Sequence, residues 1–142
     1  KFTKNILEDK EIDVYNNGNH SRDFTYVDDI VEGIYLSSIS KKELIDSNFD
    51  SKDPSRSFCK SIIFNLGRGK PENLEDFIDE IENNLGKRAK RNLMPLQPGD
   101  VPDTSADISG LKDFSGYEPK TSIKIGVKNF IDWYKEYYKV NL

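Results

Sequence analysis

The stretch "NHSRDFTYVDDIVEGIYL", residues 19–36, decides the fold. It opens on turn-forming residues and then places Arg22 beside an acid. "RDFTYV" alternates, with Arg22, Phe24 and Tyr26 on one face and Asp23, Thr25 and Val27 on the other, which predicts a strand. Asp28 or Asp29 is expected to cap the helix that follows, since a carboxylate there accepts from free backbone N–H groups and suits the positive helix end. Ile30 with Ile34, and Val31 with Tyr35, recur at helical spacing and predict its apolar face. A strand running straight into a helix marks an α/β chain.

Working outward, residues 1–10 read as a helix, with Phe2, Ile6 and Leu7 on one side. Ile12, Val14 and Tyr15 predict a short strand, and Asn16-Asn17-Gly18 is strong turn chemistry. Residues 40–57 are polar, hold a proline and predict a surface loop. "SIIFNLG" (61–67) predicts a short buried strand, and "RGKPEN" (68–73) a turn. Leu74, Phe77, Ile78, Ile81 and Leu85 trace one face of a helix capped by Asn73 and closed by Gly86. "RNLMPL" (91–96) suits a strand, and "QPGDVPDTSAD" (97–107) an irregular loop. A short helix near 108–114 precedes "GYEP". The last helix starts at Thr121 or Ser122, with Ile123, Val127, Phe130, Ile131 and Tyr134 as its apolar stripe. Helices and short strands alternate in a single domain spanning residues 1–142, without internal repeats.

Bulk properties narrow the function. The 142 residues suit one domain with a core. Apolar residues are 35% and charged residues 32%, yet 8 Phe, 7 Tyr and 1 Trp are too many for a disordered chain. A net charge of −4 with mixed signs argues against binding nucleic acid through phosphates. No apolar run approaches a membrane span, and no signal peptide is visible. Cys59 stands alone, which excludes a disulfide framework or a cysteine metal site and makes a reducing cytoplasm the expected location. The chain begins at Lys1, inside what already reads as a helix, so a piece of a longer protein is expected.

Several residues could carry chemistry. Arg22 beside a turn can fork onto a phosphate or carboxylate, or make an ordinary salt bridge to Asp23 or Asp28. "FNLGRGKPEN" holds a Gly-x-Gly, but it lacks the third glycine of a dinucleotide fingerprint and the Gly-Lys-Ser/Thr of a P-loop; a strand-to-helix turn requiring Gly67 and Gly69 explains it. Asn65 sits at the predicted strand end, where ligands collect in open α/β sheets. The basic run 86–92 follows a helix C-terminus and is expected to be solvated there. His20, the only histidine, is expected to be exposed in a turn, with no metal or serine partner. Gln97 and Asp100 could both face one ligand.

Four segments in order carry a resemblance: "YNNGNHSRDFTYVDDIVEGI", "FNLGRGKPENLEDFIDEIE", "MPLQPGDVPDTSADISGLK" and "GYEPKTSIKIGVKNFIDWYKEYY". Together they resemble the C-terminal part of nucleotide-sugar epimerases of the extended short-chain dehydrogenase/reductase superfamily, with UDP-glucuronate 4-epimerases as the nearest branch. Related dehydratases, decarboxylases and UDP-galactose 4-epimerases are the alternatives, as is a standalone binding or interaction module. The resemblance implies an N-terminal Rossmann domain holding NAD and a C-terminal α/β region holding the UDP-sugar. It further implies a Tyr-x-x-x-Lys pair whose tyrosine acts as base while NAD takes and returns a hydride at C4. None of the seven tyrosines here has a lysine four residues on, and no Gly-x-x-Gly-x-x-Gly occurs. The chain therefore resembles the substrate-binding portion without the catalytic one, inactive alone, with NAD held elsewhere. By the same resemblance, Arg22 would contact the UDP diphosphate and Tyr15 the uridine pocket. Asn65 would lie near diphosphate or ribose, and Asp100 would hold ribose hydroxyls. Gln97 stands where an arginine often contacts phosphate, which favours the glucuronate branch. The implied partners are a UDP-sugar, the Rossmann domain and a second subunit in a homodimer.

Overall fold

The computed structural model describes residues 1–41, 54–55 and 61–140. Helix α1 (Phe2–Leu7) leads into β1 (Glu11–Val14), a 3-10 turn over Tyr15–Gly18 and β2 (Ser21–Arg22). Then come α2 (Val27–Ile39), β3 (Glu72–Asn73), α3 (Leu74–Leu85), β4 (Lys90–Leu93), α4 (Ser109–Ser115) and α5 (Ile123–Tyr138). β1 pairs in parallel with β4, from Glu11 opposite Lys90 to Val14 opposite Leu93. β2 pairs antiparallel with β3, Arg22 opposite Glu72.

The core lies between α1, the β1–β4 pair, α3 and α5. Ile6, Ile12, Val14, Ile78, Ile81, Leu85, Val127 and Ile131 are all buried in one cluster. The helical periodicity of 74–85 and 123–134 thus produces the expected packing, although Phe130 is only partly covered. Gly86 closes α3 in the left-handed conformation (φ +67°), which suits glycine. The Ser122 hydroxyl accepts from the Ile125 N–H and starts α5. Asn73 occupies the N-cap position of α3, but its side chain accepts no capping hydrogen bond.

The basic run after α3 is not simply solvated. Arg88 and Arg91 fold back onto α3, and both bind the buried Glu82 carboxylate, which also accepts from the Ala89 N–H. Burial pushes the Glu82 carboxyl up, but Arg88, the Ala89 N–H and Arg91 outweigh it and hold it below the usual range. Arg91 also reaches Glu75 and Asp79.

Five expectations are corrected. The strand at "RDFTYV" ends at Arg22, because the Phe24 N–H turns back to the Arg22 carbonyl (3.0 Å) and Phe24 stacks on Phe77 at 4.3 Å. Neither Asp28 nor Asp29 caps α2, whose N-cap is Tyr26 without a side-chain bond. Asp29 is buried instead and accepts from the Lys120 and Thr121 N–H groups at 3.2 and 3.1 Å, pinning the entry to α5. The apolar face predicted for α2 is not covered by this chain: Val31, Ile34 and Tyr35 are each nearly 60% exposed, and the buried residues are Asp29 and Gly33. Lastly, 61–67 forms only an isolated bridge, not a strand, since no named strand lies beside it among the described residues, and Ile63 is 72% exposed. The segment is held by Phe64 against Phe114 and by the Tyr117 hydroxyl, which donates to the Gly67 carbonyl. The 68–73 turn ends in β3 rather than entering α3 directly. Most of the 40–57 loop, and Cys59, lie outside the described residues.

Candidate functional site

β2 and the 97–107 loop bring together the candidate site. Gln97-Pro98-Gly99-Asp100 is a tight turn in which the Asp100 N–H donates to the Gln97 carbonyl (3.1 Å). Proline second and glycine third, with Gly99 at φ +85°, is the type II arrangement. The turn points the following residues along β2. The Ser21 N–H donates to the Pro102 carbonyl, the Thr104 N–H returns to the Ser21 carbonyl, and the Ser21 hydroxyl donates to Asp103.

Arg22 binds that loop. Its Nη1 donates to the Pro102 carbonyl (2.6 Å) and the Ser21 carbonyl (3.0 Å), and its Nη2 to the Val101 carbonyl (2.8 Å) and Asp100 Oδ1 (3.1 Å). The arginine is thus paired, but with Asp100 across the loop rather than with Asp23 or Asp28. Two expected site residues, Arg22 and Asp100, meet directly. Gln97 joins them through its backbone only. Among the described residues, no hydrogen bond or ion pair ties Tyr15 or Asn65 to Arg22 or Asp100. Tyr15 begins the 3-10 turn after β1, beside Met94, whose N–H donates to the Val14 carbonyl. Asn65 is exposed on the 61–67 segment.

His20 is not exposed, as the sequence suggested, but buried beneath this loop. Nδ1 lies 3.1 Å from the Pro102 carbonyl, and Nε2, without a hydrogen-bond partner, lies 3.6 Å from Asp100 Oδ2. Beside it a polar cleft of about 440 Å³ is lined by Ser21, Asn73, Glu75, Asp76 and Asp103.

Asp23 was missed as a structural hub. Its carboxylate accepts from the N–H groups of Arg68 (3.0 Å), Gly69 (2.9 Å) and Ala106 (3.0 Å). This joins the turn after 61–67 to the 97–107 loop. The sequence signal lay in the Gly67-x-Gly69 spacing: a Cβ on Gly67 would sit 2.7 Å from Ala106 Cβ and 3.0 Å from Asp23 Oδ2. A second, apolar cavity of about 310 Å³ lies between Phe24, Phe77, Ile123 and Phe130, away from these polar groups. Among the described residues no group of three His, Cys, Asp or Glu side chains could hold a metal ion, and no helix is long and apolar enough to cross a membrane.

Known proteins resemble this chain throughout. Protein CapI of Staphylococcus aureus is 49% identical over 98% of this chain and 42% of its own length. UDP-glucuronate 4-epimerase 2 of Arabidopsis thaliana is 38% identical over 97% of this chain and 32% of its own. Among solved structures, UDP-glucuronic acid 4-epimerase of Bacillus cereus, in complex with UDP-glucuronic acid and NAD, superposes with a TM-score of 0.77 at 29% identity, over 96% of this chain and 39% of that one. The chain therefore spans about two fifths or less of these relatives, and its fold is that of part of an extended short-chain dehydrogenase/reductase. The resemblance to UDP-glucuronate 4-epimerases implied by the motifs is borne out. With residues 1–130 matching the family model described as GDP-mannose 4,6 dehydratase, the chain belongs to that family of nucleotide-sugar epimerases and dehydratases.

Proposed function

We propose that residues 1–142 form a single α/β domain that binds the nucleotide sugar of an NAD-dependent UDP-glucuronate 4-epimerase, which interconverts UDP-glucuronate and UDP-galacturonate. The observation that carries this reading is the meeting of Arg22 on β2 with Asp100 on the 97–107 loop. A guanidinium offers a planar fork of donors to diphosphate oxygens, and a carboxylate accepts from ribose hydroxyls. The two groups satisfy each other, and a diphosphate would take over the Arg22 donors spent on Asp100 and the loop carbonyls. Tyr15, Asn65 and Gln97 would close around the same ligand from the β1 end, the 61–67 segment and the start of the loop. The names of the UDP-glucuronate 4-epimerase relatives support the choice of sugar.

NAD does not suit the residues present. The hollow at Gly67, where a dinucleotide's pyrophosphate would need an open glycine, is filled by Ala106 and Asp23. NAD is assigned to a Rossmann portion of the protein outside these residues. The half-exposed α2 face of Val31, Ile34 and Tyr35 would pack against that portion.

Arg22→Ala in the complete enzyme tests the site. UDP-glucuronate affinity should fall about 10- to 100-fold, the worth of a charge-assisted contact. NAD affinity should stay nearly unchanged. Equal losses for both ligands would remove Arg22 from the diphosphate.

A further inference from the structure

The buried His20 poses a problem of proton count. Its Nδ1 faces the Pro102 carbonyl and its Nε2 faces the Asp100 carboxylate. A carbonyl and an ionised carboxylate can only accept. A neutral imidazole carries one N–H and must turn a lone pair toward one of them. Only the doubly protonated ring donates to both.

The charged groups around the ring are mostly acidic. Asp100 is 3.6 Å away on the loop, and Glu75 and Asp76 of α3 and Asp103 of the loop line the adjoining cleft. Arg22, on the same strand, is the opposing cation; it holds Asp100 Oδ1 and leaves Oδ2 toward His20. Arg91 draws Glu75 away on its outer side.

We propose that His20 is a positioning residue for nucleotide-sugar binding: as an imidazolium it bridges the Pro102 carbonyl and the Asp100 carboxylate and holds the 100–102 loop in place. The idea rests on the reading of Arg22 and Asp100 as ligand contacts. Arg22 now supplies much of the loop's anchorage through three hydrogen bonds, to Asp100, Val101 and Pro102. When its guanidinium turns to a diphosphate, the loop keeps a charged anchor only if His20 is protonated. Binding is then coupled to proton retention at His20, and affinity falls from the acid to the alkaline end of the pH range tested.

The test is UDP-glucuronate binding by calorimetry on the intact protein from pH 5.5 to 8.5; this ligand, unlike UDP, has no terminal phosphate titrating in that range. The unsubstituted protein should bind about tenfold more weakly at the alkaline end. His20→Gln should bind without that step. Asp100→Asn should lose the step too, because an amide can face Nε2 with either its oxygen or its NH₂; this keeps the proposal open to refutation if His20→Gln fails to fold. A flat profile in the unsubstituted protein, or an unchanged step in either variant, overturns the proposal. Arg22→Ala separates the two ideas: if it loses affinity while the step persists in His20→Gln, only the His20 proposal falls, and if it binds normally the underlying site reading falls.

Discussion

Helices α2 and α3 carry similar apolar spacing but have different fates. α3 buries Ile78, Ile81 and Leu85 against α1, the parallel strand pair and α5. α2 leaves Val31, Ile34 and Tyr35 half exposed and is fixed instead by polar and close contacts on its other side. Asp29 holds the backbone at the start of α5, and Gly33 lies so near Leu66 and Tyr117 that a Cβ would come within 2.8 and 3.0 Å of them. One half of the chain is held by apolar burial within the chain itself, and the other by hydrogen bonds to two acids, the buried Asp29 and the half-buried Asp23, and from a tyrosine. Amphipathic spacing thus shows that a helix face will be covered, but not by which part of a protein.

Paired substitutions sharpen this contrast most. Ile78→Ala removes a fully buried side chain and should destabilise the chain by about 2–5 kcal/mol. Ile34→Ala removes one that is 59% exposed and should change stability by less than about 0.5 kcal/mol. Chemical denaturation of the 142-residue chain measures both. Equal costs would mean that α2 is buried in solution and would break the comparison.

The next largest effect tests the polar half. In Asp23→Asn only one oxygen remains to accept from Arg68, Gly69 and Ala106, and the amide NH₂ is turned toward at least one other donor. The expected loss is about 1–3 kcal/mol. Amide exchange at those three positions should speed up while exchange at Ile78 and Ile81 keeps its protection relative to global unfolding. Uniform acceleration would show that the two halves unfold as one unit and are not separately held.

The parts legible in the sequence follow the same division. Where apolar residues meet their partners within the chain, periodicity sufficed: α3 with Gly86 and α5 from Ser122 were read close to their observed limits, whereas the strand expected over 91–96 is β4, which ends at Leu93. Where partners are polar and distant, it failed. Asp29 reads as a helix cap because it stands in the first turn, yet its acceptors serve a backbone some ninety residues on. His20 reads as an exposed turn residue because nothing local shows that the 100–102 loop will cover it. Segment 61–67 has a strand's composition but no strand neighbour among the described residues. At the site, motif resemblance picked out Arg22 and Asp100, which do meet, but no spacing rule could have shown that they meet each other.

Tyr117 offers the smallest and most specific test. Its ring is fully buried against Gly33, and its hydroxyl donates to the Gly67 carbonyl at 2.9 Å, joining α2 to the turn that Asp23 holds. Tyr117→Phe keeps the ring and loses one hydrogen bond, at a cost of about 0.5–1.5 kcal/mol near neutral pH. Burial pushes the phenol up to about 12, and the negative charges of Asp29, Asp23 and Glu32 push the same way. An unfolded tyrosine titrates near 10. The folded state therefore binds this proton more tightly, so the contribution is whole below about pH 10 and is lost as pH rises toward 12. The gap in stability between the unsubstituted chain and Tyr117→Phe should accordingly narrow across that window. Denaturation at pH 8 and at pH 11 measures it. A gap of constant size would mean that the phenolate forms without disturbing the fold, and that the Gly67 carbonyl is not what holds this half of the molecule in place.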